Sequence, residues 1–135
     1  MIAPESASWK SWGLLVLRLG FGLPMILLHG IPKIVRFEQL APIFPDPLGI
    51  GSAVSLALVI FAEVGCSAAL ILGLFTRFSL MPLMFNFSVA AFVIHAGDPL
   101  AKKELALLYL FVYMCIFLVG PGHYSVDSAI QSKIE

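Results

Sequence analysis

The sequence predicts an all-α integral membrane protein, a four-helix transmembrane bundle with a Pro-rich loop between its first two helices. Three observations carry that expectation. Among 135 residues, 60% are hydrophobic and only 12% charged, with mean hydropathy +1.00, a balance that soluble domains of this size do not show. The apolar residues gather in four runs, Gly13 to Val35, Ser52 to Leu74, Phe78 to Ala96 and Leu105 to Val119. At about 1.5 Å per residue the first three can span a hydrocarbon core of roughly 30 Å, and the fourth can if it starts near Lys103. Finally, Pro42, Pro45 and Pro47 cluster between the first two runs.

The N-terminal stretch Met1 to Ser11 holds Glu5 and Lys10 and lacks the basic n-region and small-residue cleavage site of a signal peptide, so the first run reads as an uncleaved span. That span carries Arg18, His29 and Lys33, with Pro24 near its middle. At about 100° per residue Arg18 and His29 lie about 20° apart around the helix, with Lys33 at roughly 60° on the same side. A charge near the bilayer centre costs at least about 2.5 kcal/mol, so this stripe must look into a bundle or a wet cavity.

The connection from Arg36 to Gly51 should be an ordered, non-helical cap, because its prolines fix φ and withhold donors. In the second span Gly65, Ala69 and Gly73 recur every four residues and predict a packing face for a neighbouring helix. The next connection is barely longer than Thr76 and Arg77, which makes the second and third spans antiparallel neighbours. Gly97 to Lys103 returns to the Pro-rich side. After Gly120, Pro121 and Gly122, Ser125 can cap a short helix over 125–135 with Val126, Ile130 and Ile134 on one face, lying on the membrane surface. Residues 1–135 read as one domain without internal repeats.

Four spans place both termini on one side, where Trp9, Trp12 and Tyr124 suit an aromatic belt. Lys10, Arg77 and Lys133 on that side balance Arg36, Lys102 and Lys103 on the other, so charge alone leaves the orientation open. Eight basic and eight acidic residues give zero formal net charge and no electrostatic footprint for nucleic acid. Cys66 and Cys115 sit inside apolar runs and read as small core residues. Asn86, Phe87 and Ser88 match a glycosylation sequon, which has no meaning inside a membrane.

Counting from the termini side along the helical rise, Arg18 lies roughly 9 Å deep, Asn86 roughly 13 Å and Glu63 roughly 16 Å. These depths predict an Arg18, Glu63 and Asn86 cluster in the bundle core, where pairing spares the carboxylate from protonation. A structural ion pair that fixes helix register is an equal reading of that cluster. His29, Lys33, His95 and Glu104 should meet under the Pro-rich cap, with Asp98 in reach of the same layer. Such a group could hold an anionic or quinone-like headgroup or relay protons. Two histidines without tight spacing do not make a metal site. Tyr109 and Tyr113 lie one turn apart mid-span, and their hydroxyls need partners in the polar core. No C-x-x-C, haem motif, phosphate loop or Ser/His/Asp pattern is present.

Several runs together resemble the DoxX family of small bacterial membrane proteins, in the form found in Bacteroidetes and similar Gram-negative bacteria. They are Arg18-Leu-Gly-x-Gly leading to His29-Gly30-x-x-Lys33, Phe44-Pro45-Asp46-Pro47-Leu48-Gly49, and Glu63 before Gly73-Leu74-Phe75-Thr76-Arg77. His95-Ala96-Gly97-Asp98-Pro99, Glu104 to Tyr109, and Gly120-Pro121-Gly122-x-Tyr124-Ser125-x-Asp127 complete the match. His123 departs from it, since relatives often carry a basic residue there. The resemblance implies a four-span inner-membrane protein with cytoplasmic termini. It also implies kinship with DoxD, a membrane subunit of a thiosulfate:quinone oxidoreductase, and with a mycobacterial relative in an oxidoreductase complex that handles oxidative and thiol stress.

The expected function is a redox-associated subunit that binds a quinone or similar lipophile, with His29, Lys33, His95, Glu104 and Tyr109 lining the site. Membrane lipid and a soluble oxidoreductase are the expected partners, and a homo-oligomer is compatible with the pattern. The alternative is a non-enzymatic lipophile carrier, assembly factor or scaffold using the same cavity.

Overall fold

A computed structural model describes residues 8–135, so the first seven residues of the N-terminal stretch, Glu5 included, lie outside the described residues. Among the described residues the regular structure is entirely helical. Helix α1 spans Trp9–Val35, α2 is the single turn Phe37–Leu40, and α3 spans Ser52–Leu72. They are followed by α4 (Thr76–Ile94), α5 (Leu100–Val119) and α6 (Val126–Ile134). Helices α1, α3 and α4 are long and apolar enough to cross a membrane, with mean hydropathies of 1.9, 2.2 and 1.5. Helix α5 has 20 residues and packs along α4, but Lys102, Lys103 and Glu104 fill its first turn, so its apolar stretch is shorter than those of the other three.

The polarity of the bundle is the reverse of a soluble protein's. Leu28, Phe85, Phe111 and Leu118 are exposed, whereas Arg18, Glu63, Ser67 and Thr76 are buried. This is the distribution expected when hydrocarbon surrounds the protein and polar groups must find partners inside. Met25, Leu70, Leu83, Phe87, Tyr113 and Ile116 belong to the apolar core between the long helices.

Two glycines set the contact between α1 and α3. A Cβ on Gly22 would come within 2.5 Å of Ile71 Cγ1, and one on Gly30 within 2.4 Å of Val64 Cγ2. The seam therefore runs along α1, and Gly65, expected to be part of a packing face on α3, is exposed. Helices in lipid gain most from close backbone approach, and here Gly22 and Gly30 provide it.

Each long helix in this trio also contains a π-helical turn, at Met25–Gly30, Phe61–Cys66 and Ala90–Ile94. The N–H of Ile31 bonds back to Ile26 O, and that of His95 to Ala90 O at 3.0 Å, one residue further than in an α-helix. Such turns interrupt the regular ladder and are frequent at functional sites.

The Pro-rich connection is ordered as expected, although it opens with the helical turn α2. Its organiser is Asp46, whose Oδ1 accepts from Ile50 N at 3.0 Å and Ser55 Oγ at 2.9 Å while Oδ2 accepts from Gly51 N at 2.8 Å. The Gly51 N–H chiefly, with Ser55 and Ile50, holds the Asp46 carboxyl below its ordinary value of 3.8. The folded value lies below the unfolded one, so this contribution is complete above the unfolded value and fades as the pH falls through the folded one. Protection of the Gly49–Gly51 amides against exchange, measured relative to the unfolded chain at the same pH, is therefore expected to fall below about pH 4. The Asp46→Asn variant should exchange faster already at neutral pH and show a flatter acid dependence.

At the other end, Gly73 closes α3. Its N–H bonds Leu70 O at 3.0 Å and that of Leu74 bonds Ala69 O at 2.9 Å, the paired closure of a left-handed C-terminal cap. Trp12 packs on Tyr124 with ring centroids 4.6 Å apart, placing the expected aromatic neighbours together. Ser125 Oγ accepts from Ser128 N at 3.1 Å and caps α6 as expected. Cys66 is buried, but Cys115 lies on the outer face of α5, so only one of the two thiols is a core residue.

Candidate functional site

Glu63 sits on the π-helical turn of α3 with its side chain only 6% exposed. Its Oε2 receives Lys33 Nζ at 2.8 Å, and Oε1 receives Asn86 Nδ2 at 3.5 Å. The Gly30 position explains how Lys33 arrives there. With no side chain of its own, Gly30 lets the α1 backbone lie against Glu63, and Lys33, three residues on, leans back toward the helix N-terminus as helical side chains do. Pro32 has no N–H to donate to the preceding turn, and Lys33 Nζ also bonds the His29 carbonyl at 3.1 Å. The ammonium is thus held by a carboxylate and a carbonyl inside an apolar bundle.

His29 is part-buried and close enough to Glu63 and Lys33 to feel both charges. Its ring faces Tyr109 edge-on, 6.0 Å between centroids. Tyr109 stacks on Phe87 at 5.3 Å and meets Phe21 edge-on at 5.2 Å, while its hydroxyl makes no hydrogen bond among the described residues. Tyr113, one turn later, donates to the Phe21 carbonyl at 2.9 Å. Ser67 Oγ lies near that hydroxyl without meeting hydrogen-bond geometry. Each long helix therefore contributes a polar group to one layer: His29 and Lys33 from α1, Glu63 from α3, Asn86 from α4 and Tyr109 from α5.

The structure splits the expected grouping of Arg18, Glu63 and Asn86. Glu63 and Asn86 meet, but Arg18 is elsewhere and Lys33 takes its place. The depth count assumed helices ending level, whereas Gly22 lies beside Ile71 and Gly30 beside Glu63. That register carries Arg18 to the end of α3. There Arg18, fully buried, donates from Nη1 to Ile71 O at 3.2 Å and from Nη2 to the Tyr124 carbonyl. It acts as a cationic cap on the Ile71 carbonyl at the C-terminus of α3, where the macrodipole favours positive charge, and ties that end to Tyr124 in the connection before α6.

His95 and Glu104 do not join the layer either. His95 Nδ1 pairs with Asp98 Oδ2 at 2.7 Å in the α4–α5 connection, where both are substantially exposed. Glu104 is exposed on the first turn of α5. Among the described residues no group of three or more His, Cys, Asp or Glu side chains has the arrangement of a metal site.

A family model for DoxX matches residues 13–96, which takes in α3, α4 and all of α1 beyond its first turn. These are the helices that supply Lys33, Glu63 and Asn86. The chain belongs to the DoxX family. A relative from Haemophilus influenzae (strain Rd), described as an uncharacterized protein, is 32% identical over 119 residues, covering 81% of this chain and 84% of the relative. No solved structure matches the chain. With three membrane-capable helices, this DoxX protein is a multi-pass membrane protein whose outer surface contacts lipid.

Asp127 stands in the closing motif of the sequence, but the sequence assigns it no role there. Reaching from α6, its carboxylate accepts from Phe75 N at 2.7 Å, Thr76 N at 2.9 Å and Thr76 Oγ1 at 2.7 Å. It caps the N-terminus of α4 from a distant part of the chain, and its own N–H returns a bond to Gly73 O at 2.9 Å. A cap in sequence precedes its helix; this one follows it by half a chain, so no local pattern announces it.

Proposed function

We propose that this DoxX protein is an inner-membrane, redox-associated subunit, with both termini in the cytoplasm and α5 as a fourth span. It binds the polar head of a quinone or similar lipophile beside the Lys33–Glu63 pair. The observation that supports this reading most is the part-buried ion pair itself, with Glu63 buried and Lys33 22% exposed. Lys33 Nζ and Glu63 Oε2 stand 2.8 Å apart between the long apolar helices, and intramembrane charges of this kind commonly mark ligand or proton sites. His29, close to both charges, and Tyr109, whose ring it meets edge-on, can donate hydrogen bonds to a carbonyl headgroup, while Phe21 and Phe87 supply apolar walls. Among the described residues there is no ligand set for a redox centre, so electron transfer on this reading runs through a soluble oxidoreductase partner.

One observation favours the second reading, a carrier, assembly factor or scaffold. Both oxygens of Glu63 already have partners, which is how a purely structural pair is satisfied. Native mass spectrometry of the protein gently extracted from its own membrane separates the two. Retained quinone, lost in His29→Ala and reduced in Tyr109→Phe, is the expected result. Phospholipid alone, unchanged by both substitutions, would reject the redox reading.

A further inference from the structure

A concave site lies at the other end of the bundle from Lys33 and Glu63, between the first turn of α4 and α6, with a cavity volume of about 440 Å³. Arg77 lines it, and its Nε donates to Phe117 O at 3.0 Å, which fixes the guanidinium against the end of α5. The terminal nitrogens of Arg77 make no hydrogen bond among the described residues. Asp127, the acid in the same cleft, is fully engaged by Phe75 N, Thr76 N and Thr76 Oγ1. Arg18 also lies close enough to Asp127 to feel its charge. The available charge of the cleft is therefore that of one arginine.

The rim is apolar and turned outward. Phe75 and Phe78 are 64% and 74% exposed, and Ile130 and Ile134 of α6 continue the surface beside Phe75. Phe75 holds φ at 45°, the left-handed region that a bulky side chain avoids. Asp127 Oδ1 on its N–H and Ser79 on its carbonyl hold that backbone in place, and the ring is thereby presented to the outside. An amphiphile with an anionic head and apolar tails fits both halves of the site, because Arg77 meets the charge and the two rings meet the chains.

We infer that this cleft seats the headgroup of an anionic phospholipid, with Arg77 paired to the phosphate and Phe75 and Phe78 against the upper acyl chains. A zwitterionic lipid would add an ammonium, but Asp127 is engaged by Phe75 and Thr76, and Glu135, on the adjoining surface beside Ile134, accepts from Gln131 Nε2 at 3.4 Å. The test uses the full chain in mild detergent with equimolar phosphatidylglycerol and phosphatidylcholine, read by native mass spectrometry. About fivefold more phosphatidylglycerol adduct is expected for the wild type, the effect of one basic residue at a membrane surface. Arg77→Gln should bring the two lipids to parity. Ser128→Glu places a carboxylate at the cleft while completing a capping box with Ser125, so it should lower the preference with no loss of fold. Equal retention by the wild type, or a preference surviving both substitutions, would overturn the inference. Displacement of the lipid by millimolar inorganic phosphate would overturn it in favour of a free-anion site.

Discussion

Replacing Glu63 alone by leucine is expected to destabilise the protein by about 3–5 kcal/mol, whereas replacing Glu63 and Lys33 together by leucine should cost far less or even stabilise it. The single change leaves the Lys33 ammonium beside the His29 carbonyl without its carboxylate, and leaves Asn86 Nδ2 without its acceptor. The double change removes both charges and their desolvation together. Thermal unfolding of detergent-purified variants, followed by loss of the monodisperse peak, reads the difference directly. The double variant also separates structure from function. If it folds but no longer retains the lipophile, the pair exists for the ligand; if it folds and retains it, the pair is a register device. A double variant as unstable as the single one would show that Lys33 and Glu63 are not energetically coupled.

How much of this site is legible in the sequence depends on which physical quantity each residue reports. Glu63, Asn86, His29, Lys33 and Tyr109 stand out because a polar group in an apolar run is expensive whatever its partner, so composition alone marks them. Which of them meet is a question of register, and register is decided by shape. Gly22 and Gly30 set α1 against α3 about two turns away from a level alignment, and that single offset moves Arg18 out of the site and Lys33 into it. The π-helical turns are equally silent, since Phe61–Cys66 and Ala90–Ile94 carry no residue that demands them. His95 illustrates the opposite error. Depth put it near the cap, but Asp98, three residues on, captures its ring locally at 2.7 Å, and a local partner outcompetes a distant one.

Gly73→Ala is expected to be among the most damaging single substitutions, costing roughly 3 kcal/mol or more from two independent sources. The first is conformational: Gly73 has φ of 67°, and its left-handed geometry closes α3 and positions the carbonyl that receives Asp127 N. The second is steric. An added Cβ would lie 2.3 Å from Arg18 Nη1 and 2.4 Å from Ser125 Cβ, so the methyl competes for space with the guanidinium that binds Ile71 O and the Tyr124 carbonyl. Displacing Arg18 leaves those carbonyls and Asp127 without their cation, so the damage should spread to the seating of α6. A clash-free comparison is available at Gly13, where an added Cβ meets nothing within 4 Å; Gly13→Ala should leave stability unchanged or slightly raised. Limited proteolysis at the α5–α6 junction, alongside thermal unfolding, distinguishes the causes. Strain confined to the backbone would lower the unfolding temperature with α6 still protected. Loss of the Arg18 clasp would expose the junction to cleavage well below that temperature, and this is the expected result.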